Sequence, residues 1–339
     1  MAIGFFALVV ALASGFAFLN GFRDVSTAVA LSVRTRALTP SVAVVLAAVF
    51  NFAGVLLSGG FALIFGQAWV VLPSGTGGLS ILISALVGAI LWGVYAWWRG
   101  VPLSSTHALV GGLVGAGASS VVTGGSPVNG ADSVFLGQVV LPLVVSPIIA
   151  FVGAYLLVWP VTWAARYTQP DVMHGRYRHA QSVSAAAVAL GHGLQDGQRT
   201  VAVLLLGAVA AGVSGHGEIP VWIILLTAGM LTAGTLCGGW RISYTLGYKL
   251  TRVDPLRGFV AQSLTSLMLF VGAIGLHLPL STTHTVTSAV LGAGTNQNFS
   301  VTNRPMVLRI LGFWVLTPIV TAAVAFVLQL ALSPLTKQG

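Results

Sequence analysis

The sequence predicts an all-α polytopic membrane protein made of two inverted-topology repeats of about five spans each, with broken helices or hairpins in both. Three observations predict it. Of 339 residues, 56% are hydrophobic and only 6% charged, against about 25% charged in a soluble domain. So few charges cannot make a water-facing surface. Apolar runs long enough to cross a bilayer recur along the whole chain. Finally, "PLSSTHALVGGLVGAG" from Pro102 and "PLSTTHTVTSAVLGAG" from Pro279 agree at eight of sixteen positions, at an offset of 177.

The elements follow in order. Ile3–Ser32 has neither a basic start nor a small-residue cleavage site, and reads as a retained span rather than a cleaved signal. Pro40–Gly66 and Leu79–Trp98 are continuous apolar runs. Pro102–Val122 starts at a proline, which breaks a preceding helix or begins a new one. Ser133–Trp163 closes the first half, residues 1–165. The linker Arg166–Ala180, "RYTQPDVMHGRYRHA", is the most polar stretch of the chain. The second half, 181–339, repeats the pattern as Gln181–Gly212, Pro220–Gly239, Leu256–Leu276, Pro279–Ala293 (again opened by proline) and Pro305–Leu332. An odd number of spans re-enters the membrane from the opposite side when repeated. Two five-span units are therefore inverted, the usual architecture of alternating-access transporters.

Charge sets the orientation. Twelve of the fifteen Lys and Arg residues fall in one set of connections, Lys337 alone falls in the other, and Arg23 and Arg199 lie within spans. The basic side is cytoplasmic, which puts both termini outside the plasma membrane. The net charge of +9 thus reflects topology rather than nucleic-acid binding. The 42 glycines fit close helix approach in lipid. The single Cys237 excludes an internal disulfide.

A second motif pair supports the division. "NGFRDVSTAVA", Asn20–Ala30, and "HGLQDGQRTVA", His192–Ala202, align Asp24 with Asp196. A carboxylate inside a span costs about 2.5–3.5 kcal/mol on insertion scales and is kept where it faces a cavity, a partner or a permeant. Asp24 and Asp196 read as sites for a coupling cation, H⁺ or Na⁺. The bland alternative is that Asp24 pairs with Arg23, and Asp196 with Arg199 one turn away. Gly21 and Gly193 would mark unwound turns whose carbonyls serve the same ion.

In the proline-led motifs, Ser104, Ser105 and Thr106, and likewise Ser281, Thr282 and Thr283, fall at a helix start. Free amides, the positive end of the helix dipole and clustered hydroxyls make an anion site there. The bland reading is two capped helices without a ligand. His107 and His284 would each shape a hairpin by a hydrogen bond, with a proton relay as the sharper alternative. Neither has a cysteine or second carboxylate beside it, so no metal centre or cofactor is expected. A Ser–His neighbourhood alone is no catalytic arrangement, so no enzyme is expected. No phosphate-binding loop of the Gly-x-x-x-x-Gly-Lys type is present, so this chain uses no ATP of its own.

These motifs resemble the inorganic phosphate transporter (Pit) family, in its shorter bacterial branch. The similarity runs through "NGFRDVSTAVALSVRTRALTP", "VPLSSTHALVGGLVGAG", "GHGLQDGQRT", "GGWRISYTLG" and "PLSTTHTVTSAVLGAG". It implies a symporter that imports inorganic phosphate with a cation. The carboxylates would bind the cation and the two hairpins the anion. Three positions depart from the family pattern. Arg23 replaces Asn or His, Gln195 replaces Asn, and Thr27 replaces Asn. An arginine beside Asp24 competes with sodium and offers the anion a bidentate partner. The expectation is therefore proton coupling, or carriage of a metal–phosphate complex, over sodium, with Arg23 among the substrate ligands and Thr27, His107, Gln195, Arg199 and His284 supporting. Phosphate, a coupling cation and the bilayer are the expected partners, and a homodimer is left open. A sulfate permease on the same scaffold is the nearest rival, and an anion channel the next.

Overall fold

The computed structural model describes residues 1–69, 72–125, 136–215, 219–296 and 302–336. No strand occurs among them. The first half contains α1 (Ala2–Arg34), α2 (Pro40–Trp69), α3 (Thr76–Trp98), α4 (Ser105–Val122) and α5 (Leu141–Ala165), the last preceded by a π-helical turn at Leu136–Val140. The second half contains α6 (Pro170–Ala210), α7 (Val221–Cys237), a short α8 (Trp240–Tyr244), α9 (Pro255–Phe270), α10 (Thr282–Thr295) and α11 (Arg304–Thr336). α8 continues into a π turn at Thr245–Lys249, and α9 into one at Val271–Gly275.

Each of the ten predicted segments contains a helix, and those led by Pro102 and Pro279 become helical only at Ser105 and Thr282. Among the described residues, seven helices are long and apolar enough to cross a membrane singly, and α7 with α8, bent by 58° at Gly238–Gly239, makes an eighth. The other two, α6 and α10, carry the polar motifs. α10 has only 14 residues, about 21 Å at 1.5 Å per residue, short of a ~30 Å hydrocarbon core. It is a half-helix, as the proline before it suggested.

The polar linker is mostly helical: α6 begins at Pro170 and runs 41 residues through the second aspartate motif. Proline at the first helical position and Asp171 in the first turn are good helix-starting chemistry. Tyr177 then anchors the extension on Phe259, with ring centroids 5.6 Å apart. Contrary to expectation, Gly21 and Gly193 do not unwind their helices. α1 and α6 pass through them unbroken, and the glycines instead allow close crossings, α1 on α7 and α2 on α6.

The halves are interlocked. α5 packs on the second half's hairpin, α9 and α10, while α11 packs on the first half's, α3 and α4. Each arrangement is the other with the halves exchanged. The approach is closest at equivalent glycines: Gly115 of α4 lies against the Ala322 carbonyl, and Gly292 of α10 against the Phe151 carbonyl. Each repeat thus buries its hairpin under the last helix of the other.

Candidate functional site

The two hairpin tips are built alike. Gly100 (φ 66°) and His277 (φ 53°), at the 177-residue offset, turn the chain left-handed before each tip. Pro102–Ser104 and Pro279–Ser281 then run extended into α4 and α10. Ser104 caps α4, its oxygen accepting from the His107 amide at 3.2 Å, and Ser281 caps α10 through the His284 amide at 3.2 Å. These caps satisfy the third amide of each helix. The first two, on Ser105 and Thr106 and on Thr282 and Thr283, point out of the helix start as they do in any helix. The hydroxyls of Thr106 and Thr282 are buried without a hydrogen-bond partner among the described residues.

The tips meet on Asp24. Ser105 donates to Asp24 Oδ2 at 3.1 Å, and Thr283, from the other hairpin, donates to Oδ1 at 3.4 Å. Arg23 closes on the same carboxylate, Nε to Oδ1 at 3.1 Å and Nη2 to Oδ2 at 2.9 Å, and Nη2 also reaches Ser105 Oγ at 2.5 Å. The ion pair between neighbours that the sequence held as an alternative is therefore present. Thr27 donates back to the Asp24 carbonyl at 2.7 Å.

Asp196 is the counterpart. Arg199 forms an ion pair with its Oδ1, and His192 Nε2 stands 3.6 Å from its Oδ2. The imidazole is oriented by a chain the sequence did not reveal. Thr235 donates its hydroxyl proton to the Leu231 carbonyl at 2.9 Å, so it accepts from Asn51 Nδ2, also at 2.9 Å. Asn51 Oδ1 then accepts from His192 Nδ1, 3.0 Å away, and Nε2 is left facing Asp196. Ligand atoms of Asp24, His192 and Asp196 lie within 4.8 Å of one another, three donors able to hold a cation between the halves. Asn51 carried a faint signal, a lone amide within the apolar run "AVFNFAGVLL".

Gln195 occupies the position equivalent to Arg23 and does an equivalent job. Its amide nitrogen donates to the Leu269 and Leu278 carbonyls, and its oxygen accepts from the Leu280 amide, each at 3.4 Å. Arg23 clasps the first hairpin at Ser105, and Gln195 clasps the second. Gln195→Leu should leave these buried groups unpaired and cost roughly 1–2 kcal/mol. A thermal melt in detergent checks this, with phosphate uptake slowed in parallel.

The hairpin hydrogen bonds of the two histidines are made by their backbone amides, to Ser104 and Ser281, while their rings pack together. The rings of His107 and His284 lie 4.6 Å apart, bringing the two hairpins together. His284 also stacks at 3.8 Å on Trp314 of α11, whose indole nitrogen donates to the Pro102 carbonyl at 3.0 Å. His107 Nδ1 and His284 Nε2 have no hydrogen-bond partner among the described residues. Trp314 had no sequence signal, because its role depends on the exchanged last helix. Ser104, Ser105, Thr106, Ser281, Thr282, Thr283, Arg23, Asp24, Asp196 and Arg199 are all buried, and His107 is half-buried. The structure thus gathers the two aspartates and both hairpin tips into one closed centre. Its donors suit a tetrahedral anion and its acceptors a cation.

Comparison with known proteins agrees. The profile of the "Phosphate transporter family" matches the chain twice, over residues 20–174 and 162–325. A probable low-affinity inorganic phosphate transporter of Rhizobium meliloti is 37% identical over 317 residues, 91% of each chain. The similarly named protein of Bacillus subtilis is 33% identical over 311 residues, covering 91% of this chain and 92% of its own. Among solved structures, "The sodium-dependent phosphate transporter" superposes with a TM-score of 0.84 at 22% identity, covering 98% of this chain and 99% of its own. That likeness shows a common fold. With a family profile repeated over both halves and relatives aligned nearly end to end, the chain belongs to the phosphate transporter family.

Proposed function

We propose that this protein is a secondary active symporter of the plasma membrane that imports inorganic phosphate with a cation by alternating access. The observation that carries the reading is the meeting of the two hairpin tips on Asp24, Ser105 on one oxygen and Thr283 on the other. Hydroxyls and helix-start amides from both halves form the anion cradle, through Ser104, Ser105, Thr106, Ser281, Thr282 and Thr283. Arg23 lies at its edge behind Ser105. Asp24 and Asp196 carry the coupling. The repeats are read as inverted, with both termini outside, so that movement of the halves offers one site to each face in turn.

Phosphate is favoured over sulfate by the carboxylate at the cradle. Monohydrogen phosphate has a proton to donate to Asp24 and sulfate has none. A coupling cation is needed because drawing an anion into a negative cell costs about 2.3 kcal/mol per charge at 100 mV. Protons are favoured over sodium. Each aspartate already holds an arginine, which opposes a second fixed cation. His192 Nε2 stands 3.6 Å from Asp196 Oδ2, a second group able to pass a proton to and from that carboxylate.

Reconstitution in liposomes tests this directly. Labelled phosphate should accumulate above its equilibrium level under an inward proton gradient and not under an inward sodium gradient, with excess sulfate competing weakly. Sodium-driven accumulation would overturn the proton assignment. Strong competition by sulfate would overturn the substrate. Uptake that never exceeds equilibrium under either gradient would make the protein a channel.

A further inference from the structure

The site contains two buried arginines, and the structure treats them differently. Arg23 is closed. Its Nε and Nη2 both bond Asp24, and Nη2 also bonds Ser105. Its equivalent in the second half, Gln195, is likewise engaged with its own hairpin. Arg199 is open. Only Nη2 is engaged, on Asp196, while Nε and Nη1 have no partner among the described residues. Its equivalent in the first half is Thr27, so this charge has no counterpart across the repeat.

A guanidinium 2% exposed with two unpartnered nitrogens is costly unless something meets it. Among the described residues no acceptor meets these two nitrogens. The partner of Arg199, Asp196, has a ligand atom within 4.8 Å of Asp24, the carboxylate on which Ser105 and Thr283 of the two hairpins meet. At those hairpin tips the Thr106 and Thr282 hydroxyls and His107 Nδ1 are also unpartnered among the described residues. Open donors of a fixed cation and open hydroxyls from both halves need the same thing: several acceptor oxygens on one negatively charged group. Nε and a terminal nitrogen of a guanidinium form the fork that matches two oxygens of a tetrahedral oxyanion.

We propose that Arg199 is the charged ligand of the transported anion, while Arg23 is the clasp that holds Asp24 and the first hairpin in place. This rests on the phosphate reading above and assigns within it the residue that supplies the anion's fixed positive charge. The one-sided charge makes the cradle asymmetric, since the anion leans on the second half's α6. The arginine singled out by the sequence, Arg23, acts on the anion only through Ser105 and Asp24.

Two readouts on purified protein separate the arginines. Phosphate should raise the melting temperature of the wild type, as any ligand of the folded state does. In proteoliposomes Arg199→Gln should raise the KM for phosphate about tenfold or more, the scale of a lost charge-assisted hydrogen bond, and abolish the phosphate-dependent thermal shift. Arg199→Lys, which keeps the charge without the fork, should fall between Arg199→Gln and wild type, and remains informative if the glutamine variant does not fold. Arg23→Gln should lower the ligand-free melting temperature and the maximal rate, with KM changed less than twofold. A wild-type KM and thermal shift in Arg199→Lys and Arg199→Gln, or a KM effect confined to Arg23→Gln, would overturn the assignment while leaving the phosphate reading intact. A wild type that phosphate neither stabilises nor crosses would end the phosphate reading, and this inference with it.

Discussion

Asp24→Asn should abolish phosphate uptake and lower the melting temperature sharply. Asp24 accepts from Arg23 at two points and from a hydroxyl of each hairpin. The asparagine keeps the shape, but it removes the charge and replaces one acceptor oxygen with a donor group. Arg23, 1% exposed, is then a buried cation without its counter-ion. Breaking a buried pair by removing one partner typically costs about 3–5 kcal/mol, mostly the desolvation of the survivor. The hairpins also lose their common anchor, so binding fails together with stability. The double variant Arg23→Gln/Asp24→Asn separates the two effects. With both charges gone, much of the melting temperature should return while uptake stays at background. Uptake of Asp24→Asn at the wild-type rate would show that the hairpins do not need this carboxylate.

Gly21→Ala and Gly193→Ala should each prevent formation of a stable, active protein, an effect far larger than a single methyl ordinarily has. A Cβ on Gly21 would stand 1.9 Å from the Leu231 carbonyl oxygen, and one on Gly193 would stand 2.2 Å from that of Asn51. The facing helices answer with glycines of their own: Gly234 meets the Phe18 carbonyl and Gly54 that of Leu190. The obstacles are backbone atoms, so no rotamer change makes room. Ordinary overpacking costs about 1–3 kcal/mol, and here two long helices must part along their length. That separation would also move the aspartate motifs, which start at these glycines, off the hairpins. Size-exclusion profiles and uptake check the expectation. Gly4→Ala and Gly229→Ala are controls, because nothing lies within 4 Å of the added carbon at either position. A Gly21→Ala protein that elutes and transports as the wild type would contradict so close a crossing.

Much of the site was legible because its chemistry is written twice. Ser104 and Ser281 behave as N-caps in identical geometry, since proline followed by small hydroxyl residues dictates a local helix start wherever it lies. Asp24 and Asp196 stood out because an acid is rare in an apolar span. The neighbour pairs Arg23–Asp24 and Arg199–Asp196 stood in the sequence only as an alternative to cation binding, and the structure contains both. Less legible were effects carried by glycine, which permits either a break or a close approach. Gly21 and Gly193 read as breaks, and the partner helices made them crossings instead. The linker's secondary structure was not legible either. Its polarity marked exposure, and an exposed stretch can be helical as readily as looped.

The all-helical membrane class, the doubled motifs and the polar side chains that the structure gathers at one centre were legible from the residues alone. These follow from composition, from local helix-start rules and from repetition within one chain. Only the tertiary structure decided that the halves exchange their last helices, that Asn51 and Thr235 orient His192, and that of two buried arginines one is closed and the other open. Those facts depend on contacts between residues far apart in the chain, and no local pattern records which helix will lie against which.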